Sequence, residues 1–478
     1  MVPPSQRRLV QSAWEALKLE LRPMLELATP VVLSELGWMA MGIVDTMVVG
    51  HLSTAAMGAV SIGGILFNTV AWTGAGLLLG LDTLISQSFG AGDVPDCHRS
   101  LLNGLYLSVP VSLALIAVMW LGTPYLRGFG IDPVVLRDAI PFLRAIMWST
   151  FPLLLYFAFR RYLQAMNLVK PVMFALISAN ALNLAGDWIL VFGHFGAPAM
   201  GAEGSGWSTC MSLIYMATVL LAYILYHDRR YATGLMKTPL TPDIARIFKL
   251  ITLGLPAALQ ITFEVSVWAV ATTLIGRLSP EVLAAHQIAI NTVSLTFMVP
   301  LGIGAAAAVR VGQALGRGDV AAASRSGWTA TLLGAGFMCC AAVVLLVAPQ
   351  LIILAYTADA EVMRAGVSLL AVSAAFQLFD GIQAVTTGAL RGAGDTRTPM
   401  ICHLLAYWGL GLPMGYYLCF GLNWGAIGLW TGLCVAIILI GLAMLWAWSH
   451  ALKARASAGR HGSEPPMRGA KPVGGIEV

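Results

Sequence analysis

Charge is what this chain has least of: only 11% of its 478 residues are Asp, Glu, Lys or Arg, against roughly 25% in soluble domains. That scarcity excludes a soluble globular protein, which would have too little polar surface to cover itself. The seven cysteines show neither disulfide nor metal-ligand spacing. All but Cys97 fall in apolar runs, and the adjacent Cys339 and Cys340 face different ways on a helix, so a packing role is expected. The eight histidines are scattered, and no HExxH or CxxC occurs. With no nucleophile–base pattern either, neither an enzyme nor a cofactor or metal site is expected. A cleavable signal is also missing. Residues 1–23 hold Arg7, Arg8, Glu15, Lys18, Glu20 and Arg22 with no apolar core. They read as a short amphipathic helix on a membrane surface.

What is abundant is apolar length: 58% of residues are hydrophobic. Twelve runs are long enough to cross about 30 Å of hydrocarbon: 24–50, 55–86, 101–121, 138–160, 171–194, 204–226, 247–276, 281–309, 327–347, 364–390, 399–420 and 425–450. The class expected is therefore an all-α polytopic membrane protein. Counting outward from an internal N-terminus, the inner segments hold 23 Lys and Arg and the outer loops four. That bias places both termini in the cytoplasm. The net charge of +5 is then a product of topology and carries no sign of a nucleic-acid partner. The Gly-, Pro- and Arg-rich tail, 451–478, is expected to be disordered.

The chain repeats itself. With residue n laid over n+226, Pro30 meets Pro256, Gly50-x-Leu52-Ser53 meets Gly276-x-Leu278-Ser279, and Gly76 meets Gly302. QSFGAGDV (87–94) likewise meets QALGRGDV (313–320), and Pro171 meets Pro399 in a second match. Each half holds six spans, so two six-helix lobes (24–226 and 247–450) form a parallel repeat, joined by a cytoplasmic linker over 227–246. Transporters commonly place their sites near the midplane of such repeats. The paired GAGD and GRGD glycines end helices, where the dipole is negative, so they read as C-caps and not as phosphate loops.

Where the halves differ, function has room to hide. Asp45 aligns with Ala271, Glu264 with Trp38, and Asp380 with Pro152. Ser34, Trp38, Met41 and Asp45 make one helical stripe, Gln260, Glu264 and Trp268 a second, and Gln377, Asp380, Gln383 and Thr387 a third. Asn183 and Asp187 sit four apart on the fifth span. The amides have an alternative role as hydrogen-bonding glue between helices. For the acids that alternative weakens, because Arg160, Arg161, Arg310 and Arg391 lie near inner helix ends, where they are expected to snorkel to water. An unpaired carboxylate in a membrane reads as an ion or proton site. Glu35 lies off the Asp45 face and Asp82 lies one turn from a helix end, so both are expected to be structural.

GIVDTMVVGHLS (42–53), GLPAALQITFEVSVWAV (254–270), AAHQIA (284–289) and FDGIQAVTTGALRGAGDTRTP (379–399) together resemble the multidrug and toxic compound extrusion (MATE) family, in its bacterial NorM-like branch. The resemblance covers about 24–450 and implies a V-shaped pair of lobes exporting organic cations in exchange for Na⁺ or H⁺. It implies cation-binding roles for Asp45, Asn183 and Asp187 in the first lobe and for Glu264 and Asp380 in the second. His286 and Gln287 fit its signature, His286 being a packing hydrogen-bonder or a proton carrier. Trp38, Met41, Gln260, Phe263, Trp268, His286, Gln287, Phe297, Gln377 and Gln383 are the candidates for a drug cavity, the aromatics supplying cation–π faces. The resemblance further implies a monomer in the bacterial inner membrane. The alternative is a flippase of lipid-linked saccharides in the same superfamily, which would show basic residues in its cavity.

Overall fold

The computed structural model describes residues 4–129 and 133–461, and among these every regular element is helical. Eleven helices are long and apolar enough to cross a membrane: Glu20–Gly50, Ala55–Gly90, Val94–Leu126, Pro133–Ala165, Lys170–Phe192, Ala202–Tyr231, Ile244–Ile275, Pro280–Gly316, Val320–Val347, Ala360–Gly392 and Gly425–Arg455. The expected eleventh span, 399–420, lies within an unbroken helix over 397–421 that alternates between α and π turns. Pro413 lies inside it and cannot donate to the ladder. The spans are numbered first to twelfth in chain order, with 397–421 as the eleventh.

Local chemistry sets the repeat. Ser53 caps the second span by accepting from Ala56 N–H, and Ser279 caps the eighth by accepting from Val282 N–H. Asp93 and Asp319 cap the third and ninth in the same way, through Asp96 N–H and Ala322 N–H. The turns before them need left-handed residues, and glycine provides these at Gly92 (φ 80°) and Gly318 (φ 77°). Gly90 and Gly316 are glycine for another reason. A Cβ at Gly90 would stand 2.1 Å from the Gln313 carbonyl oxygen, and one at Gly316 2.0 Å from that of Gln87. The helix ends of the two lobes touch there, so the expected C-cap role belongs to Gly92 and Gly318.

Each lobe has its own apolar core, but the lobe boundaries are crossed. Met24, Leu27, Ala28 and Val31 at the start of the first span pack in the core of the second lobe. Leu250, at the start of the seventh span, packs in that of the first. The expected surface helix over 1–23 is continuous with the first span as one helix, Pro4–Gly50; residues 1–3 lie outside the described residues. At the other end the last helix continues to His461, since Ala, Lys and Arg are strong helix formers. The rest of the expected tail, 462–478, lies outside the described residues.

Candidate functional site

A cavity of about 400 Å³ lies between the lobes, walled mainly by the seventh, eighth and tenth spans with parts of the second and fourth. Its surface is largely apolar, and its polar groups fall in two places. The first is built on Glu264 and Asp380. Gln383 Nε2 donates to Glu264 Oε1 at 3.3 Å and to Asp380 Oδ1 at 3.2 Å. The third and second stripes therefore meet, although 119 residues separate Gln383 from Glu264. Gln260 Nε2 approaches Glu264 Oε2 at 3.4 Å from one turn earlier.

The remaining partner of Glu264 is one that sequence reasoning missed. His403, on the eleventh span and fully buried, brings its Nε2 to 3.7 Å from Glu264 Oε2. Its Nδ1 lies 2.7 Å from the Pro399 carbonyl oxygen, which only accepts, so Nδ1 carries the hydrogen. In the neutral ring the Nε2 lone pair therefore faces Gln260 Nε2, 3.4 Å away, and the carboxylate. Its signal was weak: a histidine in an apolar run aligns with no acid in the other half.

The second polar region is a cluster of opposite charges where the first, second, fourth and tenth spans meet. Arg160 pairs with Glu35, while Arg391 Nε lies 3.1 Å and Arg161 Nη1 3.5 Å from Asp82 Oδ2. The expected snorkelling of these arginines is thus overturned. Arg160 is 1% exposed and Arg161 8%, because acids on neighbouring helices neutralise them inside the protein at less cost than reaching for water. Arg310 is likewise paired, to Glu20 at 2.5 Å. Asp82, 1% exposed, has ion partners where interfacial water was expected.

In the first lobe, Asp45, Asn183 and Asp187 converge outside the cavity wall. Asp45 and Asp187 lie next to each other with Asn183 beside them, and Thr209 Oγ1 donates to Asp45 Oδ2 at 3.0 Å. Asp187 and Asn183 are fully buried, and Asp45 Oδ1, Asn183 Oδ1 and both Asp187 oxygens accept no hydrogen bond. With the Ser205 and Ser208 hydroxyls beside Asp187, this group of oxygens could hold a small cation or share a proton.

The cavity candidates divide. Gln260, Trp268, Phe297 and Gln383 line the wall together with Glu264 and Asp380. Trp38 stands one layer back, stacked on Tyr156 with ring centroids 6.3 Å apart, and Trp72 and Phe157 take the wall position in front of it. Met41 is core, and the Phe263 backbone carbonyl accepts from Trp408 Nε1 at 3.1 Å. Gln377 is spent on Thr296 Oγ1 at 2.9 Å, and Gln287 is exposed but lies beyond the lining residues of its helix. His286 is fully buried behind the wall. Trp430 Nε1–H donates to its Nδ1 at 2.9 Å, so Nε2 carries the hydrogen and meets Thr272 Oγ1 at 2.9 Å. Thr272 in turn donates to the Trp268 carbonyl. That chain holds His286 neutral and fixes Trp268 against Trp430, 5.3 Å away and edge-on.

The sequence matches the MatE family over residues 30–189 and 256–417, two blocks whose starts reproduce the 226-residue repeat. The chain belongs to this family. Among similar proteins are the probable multidrug resistance protein NorM of Mesorhizobium japonicum, 35% identical over 436 residues covering 90% of this chain and 93% of that one, and the multidrug resistance protein PmpM of Pseudomonas aeruginosa, 34% identical over 455 residues covering 93% and 94%. The fold matches the eukaryotic MATE transporter AtDTX14 with a TM-score of 0.84 at 21% identity, covering 93% of this chain and 99% of that one. A MATE structure in the straight conformation gives 0.81 at 17%, covering 91% and 96%. This MATE-family transporter is thus a multi-pass membrane protein with the family's two-lobe architecture.

Proposed function

We propose that this MATE protein is a secondary active multidrug antiporter, exporting organic cations and lipophilic drugs in exchange for Na⁺ or H⁺. The observation that carries the reading is the pair Glu264 and Asp380 on the second-lobe side of a largely apolar, aromatic cavity. Both carboxylates lie within 3.3 Å of one amide nitrogen, so their oxygens stand no more than about 6.6 Å apart. At an effective dielectric of about 20 their mutual repulsion is at least about 2.5 kcal/mol. One bound proton, Na⁺ or organic cation relieves it, so coupling ion and drug compete for the same charge. The names of NorM and PmpM agree with this reading.

Alternating access needs a face that closes. At the helix ends holding Gly90 and Gly316, Gln87 Nε2 donates to Gly392 O at 3.0 Å and Gln313 Nε2 to Ala165 O at 2.8 Å. These reciprocal bonds join the lobes on the side rich in Lys and Arg, which we assign to the cytoplasm together with both termini and the 227–246 linker. Asp45, Asn183 and Asp187 would form a second cation site, loaded independently of the drug. The protein would work as a monomer in the bacterial inner membrane, without a cofactor. For a flippase of saccharide pyrophosphates the balance is wrong: Glu35, Asp82, Glu264 and Asp380 outnumber the three arginines about the cavity.

Proteoliposomes carrying a fluorescent organic cation test the proposal, under an imposed Na⁺ gradient and then a pH gradient. One gradient should drive efflux, and Glu264→Gln and Asp380→Asn should each lose it by at least about tenfold, the scale of one charge-assisted interaction. Wild-type rates in both variants would overturn it.

A further inference from the structure

The fourth span has a face that the cavity does not use. On one side it carries Phe157, Arg160 and Arg161 to the cavity wall. Nine residues before Phe157, and so about half a turn round the helix, Trp148 lines a groove of about 580 Å³ between the third, fourth and sixth spans. The groove lies where the fourth span tightens into a 3₁₀ turn at Met147–Ser149, just before Pro152, and Leu113, Phe151, Leu155 and Ile214 wall it. Its two hydroxyls are spent within their own helices: Ser112 Oγ donates to Val109 O and Thr218 Oγ1 to Ile214 O, at 2.8 and 2.7 Å. What the groove offers an occupant is chiefly hydrocarbon contact. Arg144 breaks that pattern. It stands one turn from Trp148 toward the Pro133 end of the span, on the exposed stripe Arg137, Arg144 and Trp148, while Leu136, Leu143 and Ile146 pack into the core of the lobe. Arg160 and Arg161 each have an acid. Arg144 is exposed and, among the described residues, has neither an ion pair nor a hydrogen bond.

We infer that this face binds one anionic phospholipid, its phosphate on Arg144 and an acyl chain in the groove. Charge complementarity selects the occupant. A guanidinium within a membrane span is costly when unpaired, and its planar fork suits a phosphate. An apolar helix laid in the groove would leave Arg144 without a partner, and a lipid of no net charge would leave the positive charge uncompensated. An anionic phospholipid fills the groove and neutralises the arginine together. Seated there, it also braces the 3₁₀ turn of a span whose far side bears Arg160 and Arg161.

Native mass spectrometry of the delipidated full-length protein tests the site, with dioleoyl phosphatidylglycerol and dioleoyl phosphatidylcholine supplied in equal amounts. The readout is the ratio of the two in the complex that keeps one lipid. Wild-type protein should favour phosphatidylglycerol. Arg144→Gln should lower the ratio by about tenfold, the scale of one charge-assisted bond, and Arg144→Lys should restore part of it. Thr218→Trp, which fills the groove, should lower retention of both lipids. Arg144 and Thr218 are both exposed, so these variants are expected to fold and to melt with the parent. No preference in the wild type, or an unchanged ratio in Arg144→Gln, overturns the inference. So does full lipid retention in Thr218→Trp. A dimer carrying no lipid would assign the groove to a second copy of the chain and overturn it as well.

Discussion

Arg160 shows what one buried charge demands of its surroundings. Its guanidinium is 1% exposed and leans on Glu35, which is 5% exposed. Removing one partner of such a pair typically costs about 3–5 kcal/mol, because the other charge is left uncompensated. Glu35→Gln should therefore markedly lower the melting temperature of the purified protein. Glu35→Gln combined with Arg160→Met should recover much of that loss, as measured by thermal unfolding in detergent. Equal melting of the single variant and wild type would contradict this account of the pair. The sequence made Glu264 and Asp380 conspicuous because a lone acid in an apolar helix needs no structural context to be costly. It could not reveal the arginine pairs, since Arg160 and Glu35 are 125 residues apart and snorkelling is inferred from position along one helix. His403 and Trp430 were hidden similarly, their roles being set by neighbours on other spans.

At the scale of elements, the two lobes use equivalent positions differently. Asn183 and Asp187 on the fifth span correspond to Gly411 and Gly415 on the eleventh. In the first lobe these side chains meet Asp45. In the second, the glycines let the twelfth span close in, so that a Cβ at Gly415 would stand 2.8 Å from Leu429 O and one at Gly411 2.7 Å from the Ala436 Cβ. The second lobe carries its acid on the seventh span instead, at Glu264. The repeat made this divergence legible, but not the π turns of the eleventh span. Those depend on Pro413 within a helix packed tightly on its neighbour. Gly90 makes the seam testable: Gly90→Ala sets a methyl against the Gln313 backbone and should hold the lobes apart. A single cysteine at Ser86, fully buried in the seam, should then react several-fold faster with a maleimide than in the parent. Unchanged reactivity would show that the seam absorbs the methyl without opening.

For the whole molecule, the twelve spans and the two-lobe repeat were readable because hydrocarbon thickness and helix rise fix the length of a span. The crossing of lobe boundaries was not, since the opening turns of the first and seventh spans are apolar whichever core receives them. The proposed orientation rests on the 23-to-four basic asymmetry. Single cysteines at His194 and Asn423 should label from outside intact cells, and ones at Lys237 and Lys453 only after permeabilisation. The reverse pattern would invert the direction of transport.

The central claim is that drug and coupling ion compete for Glu264 and Asp380. Purified protein in lightly buffered detergent, with a pH indicator and a Na⁺ indicator present, measures that exchange as an organic cation is added. The account predicts release of H⁺ or Na⁺ in proportion to drug bound, sharply diminished in Glu264→Gln with Asp380→Asn. Saturable drug binding to wild-type protein with no cation released would contradict it.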